Sequence, residues 1–113
     1  MTPAANAALV DLAALRCTRG AALLPAAEAA ALVAQLPGWA RTGARIEKTF
    51  RFADYAATMA FVNAVAALAE REDHHPDLGV HYGRCVVIWT THDAGGVTKN
   101  DIVCAAQVEQ LLA

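Results

Sequence analysis

The spacing of apolar side chains along the chain predicts short helices interleaved with two pairs of short strands. Ala7 to Arg16 carries a first helical pattern, with Gly20 after it as a stop. Leu24-Pro25 opens a second helix, since proline is tolerated in a first turn. That helix continues through Ala26 to Leu36, with Leu32, Val33 and Leu36 on one side, and Pro37-Gly38 ends it. Trp39 to Thr42 and Arg45 to Phe52 read as two strands joined near Gly43, and Ile46, Lys48, Phe50 and Phe52 share one face of the second. Asp54 to Asp73 is the longest helical segment. Asp54 is placed to cap it, and Tyr55, Thr58, Val62, Val65 and Ala69 fall at helical spacings. It must stop by His75, because Pro76 pushes its predecessor out of the α region. Val80 to Tyr82 and Cys85 to His92 form another hairpin, turning near Gly83. Thr98 with Asp101 resembles a capping box, with Asp in the Glu position, and the last helix runs to about Leu112.

The order α-β-β-α-β-β-α defines a single α+β domain, a four-stranded antiparallel sheet with helices packed on one face. Residues 1–23 form a partly helical N-terminal extension ahead of a domain spanning 24–113. In the last strand both alternating sets, Cys85/Val87/Trp89 and Val86/Ile88/Thr90, are largely apolar. A strand apolar on both faces is usually buried on both, so another subunit is expected against one of them.

Composition narrows the class. Apolar residues make up 57% of the chain, but 28 of them are alanine. The longest stretch without a charge, Tyr55 to Ala69, has 15 residues, short of the roughly 20 that span a membrane. The N-terminal segment lacks a basic residue before its apolar part and contains Asp11, which makes a poor secretory signal. Three cysteines without CxxC spacing indicate neither a disulfide framework nor a zinc ribbon, and a cytoplasmic domain is expected. A net charge of −2 argues against a nucleic-acid surface. The charge is unevenly spread. Residues 70–113 hold three basic and seven acidic residues, and all four histidines fall between His74 and His92.

The densest chemistry is Glu70-Arg71-Glu72-Asp73-His74-His75-Pro76. Helical spacing sets Glu70 on one face with Asp73 and His74. Three acids in the last turn oppose the helix dipole; solvated surface carboxylates and a polar site both fit that pattern. Histidine exchanges protons near neutral pH, so His74-His75 before a conformational stop suits acid–base work, as it also suits capping of the last helical carbonyls. Neither HxH nor HExxH spacing is present, and neighbours on an extended segment point apart, so no metal site is assigned. His92 ends the apolar strand within Thr90-Thr91-His92-Asp93, where hydroxyls can hydrogen-bond a polar heterocycle. His81 reads as surface or interface, Trp39 and Trp89 as core, and Cys85 and Cys104 as buried thiols.

These pieces, in this order, resemble the pterin-4a-carbinolamine dehydratase family. The resemblance is carried by Pro37-Gly38-Trp39, Phe50-x-Phe52-x-Asp54-Tyr55, Glu70-x-x-Asp73-His74-His75-Pro76, Tyr82, Thr91-His92, Gly96-Val97-Thr98 and Asp101, from about Leu24 to the C-terminus. It implies a four-stranded antiparallel sheet with three helices on one face, assembled as a homodimer or homotetramer. The implied reaction dehydrates 4a-hydroxytetrahydropterin to quinonoid dihydropterin, recycling the cofactor of aromatic amino-acid hydroxylases without a metal or prosthetic group. By motif position, His74 and His92 would be the acid–base pair and His75 would orient the ring and hydroxyl. Glu70 and Asp73 would accept hydrogen bonds from the pterin N–H groups. Thr90 and Thr91 would line the pocket, and Asp101 would complete the substrate site or hold a histidine. Leu78, Ala94 and Asn100 depart from residues found in other members. The implied alternative is a non-catalytic assembly factor or transcriptional dimerisation cofactor on the same fold.

Overall fold

The computed structural model describes residues 3–112; the ends of the extension and of the domain, residues 1–2 and 113, lie outside the described residues. The elements follow as α1 (Pro3–Ala13), α2 (Ala26–Val33), β1 (Ala40–Thr42), β2 (Arg45–Arg51), α3 (Tyr55–Glu72), β3 (Asp77–His81), β4 (Arg84–Trp89) and α4 (Lys99–Gln110). The strands form one antiparallel sheet in the order β1-β2-β4-β3, two hairpins joined through β2 and β4. The fold class is the one the sequence predicts.

Alternation decides which face is buried. Ile46 pairs with Trp89 and Phe50 with Cys85 across β2 and β4. These four and Val87 are buried against the helices. On the opposite face Thr49, Arg51, Arg84 and His81 are exposed, while Val86 and Ile88 are half-buried. Helix α3 closes the buried side with Thr58, Phe61, Val65, Leu68 and Ala69. Phe61 packs 4.8 Å from the Phe50 ring and 5.0 Å from the Phe52 ring. Helix α4 lies deepest: every residue from Asn100 to Val108 is buried, and α1 packs across it. An apolar side chain buried this way contributes about 1.5–3 kcal/mol.

Several boundaries move from their predicted places. The first helix ends at Ala13 rather than Arg16, the second at Val33 rather than Leu36, and β4 at Trp89 rather than His92. His92 instead begins a single 3-10 turn, His92–Ala94. Strand β3 runs Asp77–His81, starting three residues before Val80. Helix α3 has the predicted Asp54 cap, whose carboxylate accepts from the Ala57 N–H. Its end comes before Pro76 takes effect. Asp73 adopts the left-handed conformation (φ 52°), the only described non-glycine residue with positive φ. Aspartate tolerates that region better than most residues, and the turn redirects His74 off the helix axis.

The segment between α1 and α2 is a strap without regular structure that crosses the end of α4. It is tied down where Leu23 bridges Thr98 and the Leu24 N–H donates to Val97 O at 2.9 Å. A Cβ on Gly96 would stand 2.7 Å from Leu23 Cδ1, the free end of an exposed side chain, so a larger residue there would turn Leu23 aside.

Candidate active site

Four elements meet at one end of the sheet: the C-terminus of α3, the end of β4, the start of α4 and the strap. The side chain at their junction is His74. Its Nε2 lies 2.6 Å from Asp101 Oδ1, and its ring stacks on Trp89 with centroids 5.4 Å apart and planes 18° off parallel. Both supports are fully buried. The imidazole is therefore fixed from an edge and from a face, with its side chain 13% exposed.

Asp101 is built to hold that ring. The predicted capping box forms, so Thr98 N–H donates to Asp101 Oδ2 at 2.9 Å, and the Thr91 hydroxyl donates to the same oxygen at 2.9 Å. Thr98 Oγ1 stands 2.8 Å from Thr91 Oγ1 and accepts from the Asn100 N–H. Oδ2 thus collects two donors and Oδ1 faces His74, and because Asp101 is fully buried a ligand reaches neither oxygen. Of the two roles the resemblance allows Asp101, its geometry is that of the histidine's holder. An ionised carboxylate only accepts, so the contact is satisfied by a hydrogen on Nε2, and Nδ1 is the ring's other nitrogen.

His74 opens into a cleft of about 530 Å³, within the range that small-molecule sites occupy. Asp73, Thr91, Asp93 and Asn100 line it on the domain side, and Thr18 to Ala21 of the strap form the facing wall. A larger hollow of about 750 Å³ lies between α1, α3 and α4, walled by alanines and leucines with Arg71 as its one titratable group; it lacks acid–base chemistry. Among the described residues no three His, Cys, Asp or Glu side chains converge as a metal site, and no helix is long and apolar enough to cross a membrane.

The other predicted site residues divide. Asp73, His74 and Thr91 belong to the cleft, with Asp101 beneath it. His92 and Thr90 line a neighbouring depression of about 360 Å³ with Ala44, Arg45 and Asp77, and the Thr90 hydroxyl donates to Ala44 O. His75 and Glu70 pair with each other at 3.2 Å, exposed by 56% and 80%. The structure thus brings His74 and Asp101 together and keeps His75 and His92 outside that cleft.

Glu72 is a residue sequence reasoning passed over. It reads as one of three solvated acids, yet its side chain is 1% exposed. One oxygen accepts from the Cys17 N–H at 2.8 Å; the other meets Arg16 Nε at 2.7 Å, Arg71 Nε at 3.2 Å and Gln107 Nε2 at 3.3 Å. Burial alone would raise its pKa, but the Cys17, Gln107 and Arg71 hydrogen bonds and the Arg16 charge outweigh it and hold the carboxyl below its ordinary range. Asn100 is the second such residue. Its amide bonds the Thr18 main chain twice, accepting from Thr18 N at 2.9 Å and donating to Thr18 O at 2.8 Å. The signal for Glu72 was its misfit with the helix dipole. Asn100 offered only its departure from the family pattern.

An α+β domain with helices on one face of an antiparallel sheet and a buried carboxylate behind a cleft histidine defines the class. The family model for pterin 4 alpha carbinolamine dehydratase matches residues 22–111, and the chain belongs to that family. A Xanthomonas campestris protein provisionally named pterin-4-alpha-carbinolamine dehydratase is 61% identical over 87 residues, covering 75% of this chain and 74% of its own. A Stenotrophomonas maltophilia protein of the same provisional name is 58% identical over 87 residues, 75% of either chain. The crystal structure of a transcriptional coactivator/pterin dehydratase from Brucella melitensis superposes with a TM-score of 0.76 at 30% identity, covering 80% of this chain and 98% of that one. A pterin dehydratase-like protein described as a RuBisCO assembly factor of the alpha-carboxysome gives 0.55 at 26% identity, over 65% and 84% of the two chains.

Proposed function

We propose that this protein dehydrates 4a-hydroxytetrahydropterin to quinonoid dihydropterin, recycling the cofactor of aromatic amino-acid hydroxylases. The observation that carries the reading is His74, clamped between Asp101 and Trp89 at the mouth of a polar cleft. A scaffold has no need of a histidine oriented by a buried acid; a proton-transfer catalyst does.

The chemistry is an elimination of water. A general acid protonates the 4a-hydroxyl, the C4a–O bond breaks as the adjacent ring nitrogen forms a double bond to C4a, and that nitrogen's proton passes to a base. Protonated and neutral imidazole suit the two halves. In this reading His74 exchanges one proton through Nδ1 and His92 is its partner from the neighbouring depression, brought to the same substrate by a turn of its exposed side chain. Asp73 accepts hydrogen bonds from the pterin ring's N–H groups. Glu70 and His75 act from the rim. The half-buried Val86 and Ile88 on the outer sheet face support assembly as a homo-oligomer.

The assay is turnover of synthetic 4a-hydroxytetrahydropterin by the purified protein, followed in the ultraviolet. Dehydration well above the buffer rate is expected, and a rate equal to buffer would end the enzymatic reading. The second reading, a non-catalytic assembly role, is favoured by the carboxysomal structural relative; it is the one left standing by that outcome.

A further inference from the structure

Residues 14–21, the first part of the strap between α1 and α2, precede the region that the family model matches, which begins at residue 22. Four of them, Thr18 to Ala21, nevertheless wall the His74 cleft. We propose that this strap is part of the substrate site and that Arg19 is a specificity-determining residue for the substituent at C6 of the pterin, favouring one that carries acceptor oxygens. The inference rests on the dehydratase reading and extends it.

Two clamps fix the strap, and each neighbours the catalytic machinery in sequence. Glu72, two residues before His74, receives the Cys17 N–H and the Arg16 guanidinium. Asn100, next to Asp101, closes the paired amide bonds to Thr18. The Cys17 thiol adds a contact to Asn100 O at 3.7 Å and lies 3.4 Å from Cys104 Sγ, while Gln107 donates to Leu15 O at 3.1 Å. Hydrogen bonds on both sides of a main-chain unit order a segment that has no helix or strand of its own. The wall is therefore preformed, which lowers the ordering cost of binding.

Arg19 shares a smaller recess with Asp73, and both charges reach the His74 cleft. Asp73 and Asp93 line it and suit the donor groups of the pyrimidine half, since ionised carboxylates only accept. Arg19 is the one arginine or lysine among the lining residues, and it makes no ion pair with any described residue. It offers donors and positive charge where the ring's own donors gain nothing. With C4a at His74 and the pyrimidine edge toward the carboxylates, the C6 substituent is the part of the substrate that meets the strap. Its hydroxyl oxygens, or a phosphate in their place, are the acceptors Arg19 can take.

The test compares three 4a-hydroxytetrahydropterins, bearing a methyl, a polyhydroxylated or a phosphorylated side chain at C6, on wild type, Arg19→Ala, Arg19→Lys and Asn100→Ala. For Arg19→Ala, KM should rise about tenfold more with the oxygenated substrates than with the methyl one, as expected for a lost charge-assisted hydrogen bond. The change in kcat should be small by comparison, and Arg19→Lys should recover part of the loss. A loss concentrated on the phosphorylated substrate assigns an anion, and one concentrated on the polyhydroxylated substrate assigns hydroxyls. Asn100→Ala should reproduce the KM pattern by releasing the strap. Should that variant fail to fold, the exposed Arg19 substitutions carry the test alone. Equal KM changes on all three substrates would overturn the strap's role while leaving the dehydratase intact. Failure of wild type on every substrate would remove both.

Discussion

The carboxylate that receives His74 Nε2 at 2.6 Å, Asp101, is also the residue that closes the capping box of its own helix. One side chain thereby ties the start of α4 to the end of α3, and the histidine's orientation is coupled to the integrity of the cap. Asp101→Asn preserves shape but puts an amide where two donors and an imidazole meet a carboxylate. We expect kcat to fall by about 10²-fold, at the low end of what a general acid or base contributes, with KM much less affected. The melting temperature should drop as well, because a lost cap and a mispaired buried group cost about 1–3 kcal/mol. Unchanged kcat in a destabilised Asp101→Asn protein would reduce Asp101 to a purely structural role.

The three motif histidines should separate kinetically. His74→Ala is expected to lower kcat by about 10²-fold or more, and His92→Ala to do the same if it supplies the second proton transfer. His75 is exposed and paired only with the exposed Glu70, so His75→Ala should stay within about tenfold of wild type. The pH profile of kcat decides the pairing: two acting histidines give a bell, and His92→Ala should flatten one limb of it. A full bell in His92→Ala would assign the second limb to another group and remove His92 from the pair.

Acid should loosen the strap before it unfolds the sheet. The folded Glu72 carboxyl sits below its ordinary value of 4.5 because the Cys17, Gln107 and Arg71 hydrogen bonds and the Arg16 charge together overcome burial. The unfolded chain then binds the proton more readily. The stabilisation is therefore complete above about pH 4.5 and is lost as pH falls through the lower folded value. Thermal unfolding of wild type and Glu72→Gln across this range checks the sign. The wild-type advantage should be present at neutral pH and shrink on acidification; an advantage that grows in acid would contradict the assignment.

How far the sequence alone reaches is visible in these same residues. Periodicity located the sheet, the β2 face carrying Ile46 and Phe50, the Asp54 cap and the Thr98–Asp101 box, because each depends on neighbours a few residues apart, but it left both faces of β4 apolar and did not choose between them. The motif spacing singled out His74 and Asp101. It did not show that the two touch, since 27 residues separate them. The pairing of Glu72 with Arg16 and Cys17, and of Asn100 with Thr18, spans 55 to 82 residues and leaves no periodic trace. Thr90 and Thr91, adjacent in the chain and assigned by the resemblance to one pocket, line different depressions. That division follows from the alternation of side chains at the strand's end and from the turn that begins at His92.

Trp89 joins stability to catalysis, and its replacements should separate the two. The ring is fully buried, pairs across the sheet with Ile46 and stacks on His74. Truncation to alanine would cost about 3–5 kcal/mol, a large fraction of a small domain's roughly 5–15 kcal/mol, so that variant reports folding alone. Phenylalanine and leucine are the informative pair. Each leaves part of the indole's volume empty and should cost a few kcal/mol by denaturant unfolding, but only phenylalanine keeps a flat aromatic face beneath the imidazole. Trp89→Phe should therefore retain kcat within about fivefold, whereas Trp89→Leu should lose about tenfold more as His74 gains rotational freedom, in line with the cost of small misplacements of a reacting group. Equal kcat in two equally folded variants would mean that Asp101 alone holds His74 in place, and the stacked tryptophan would then belong to the core and not to the site.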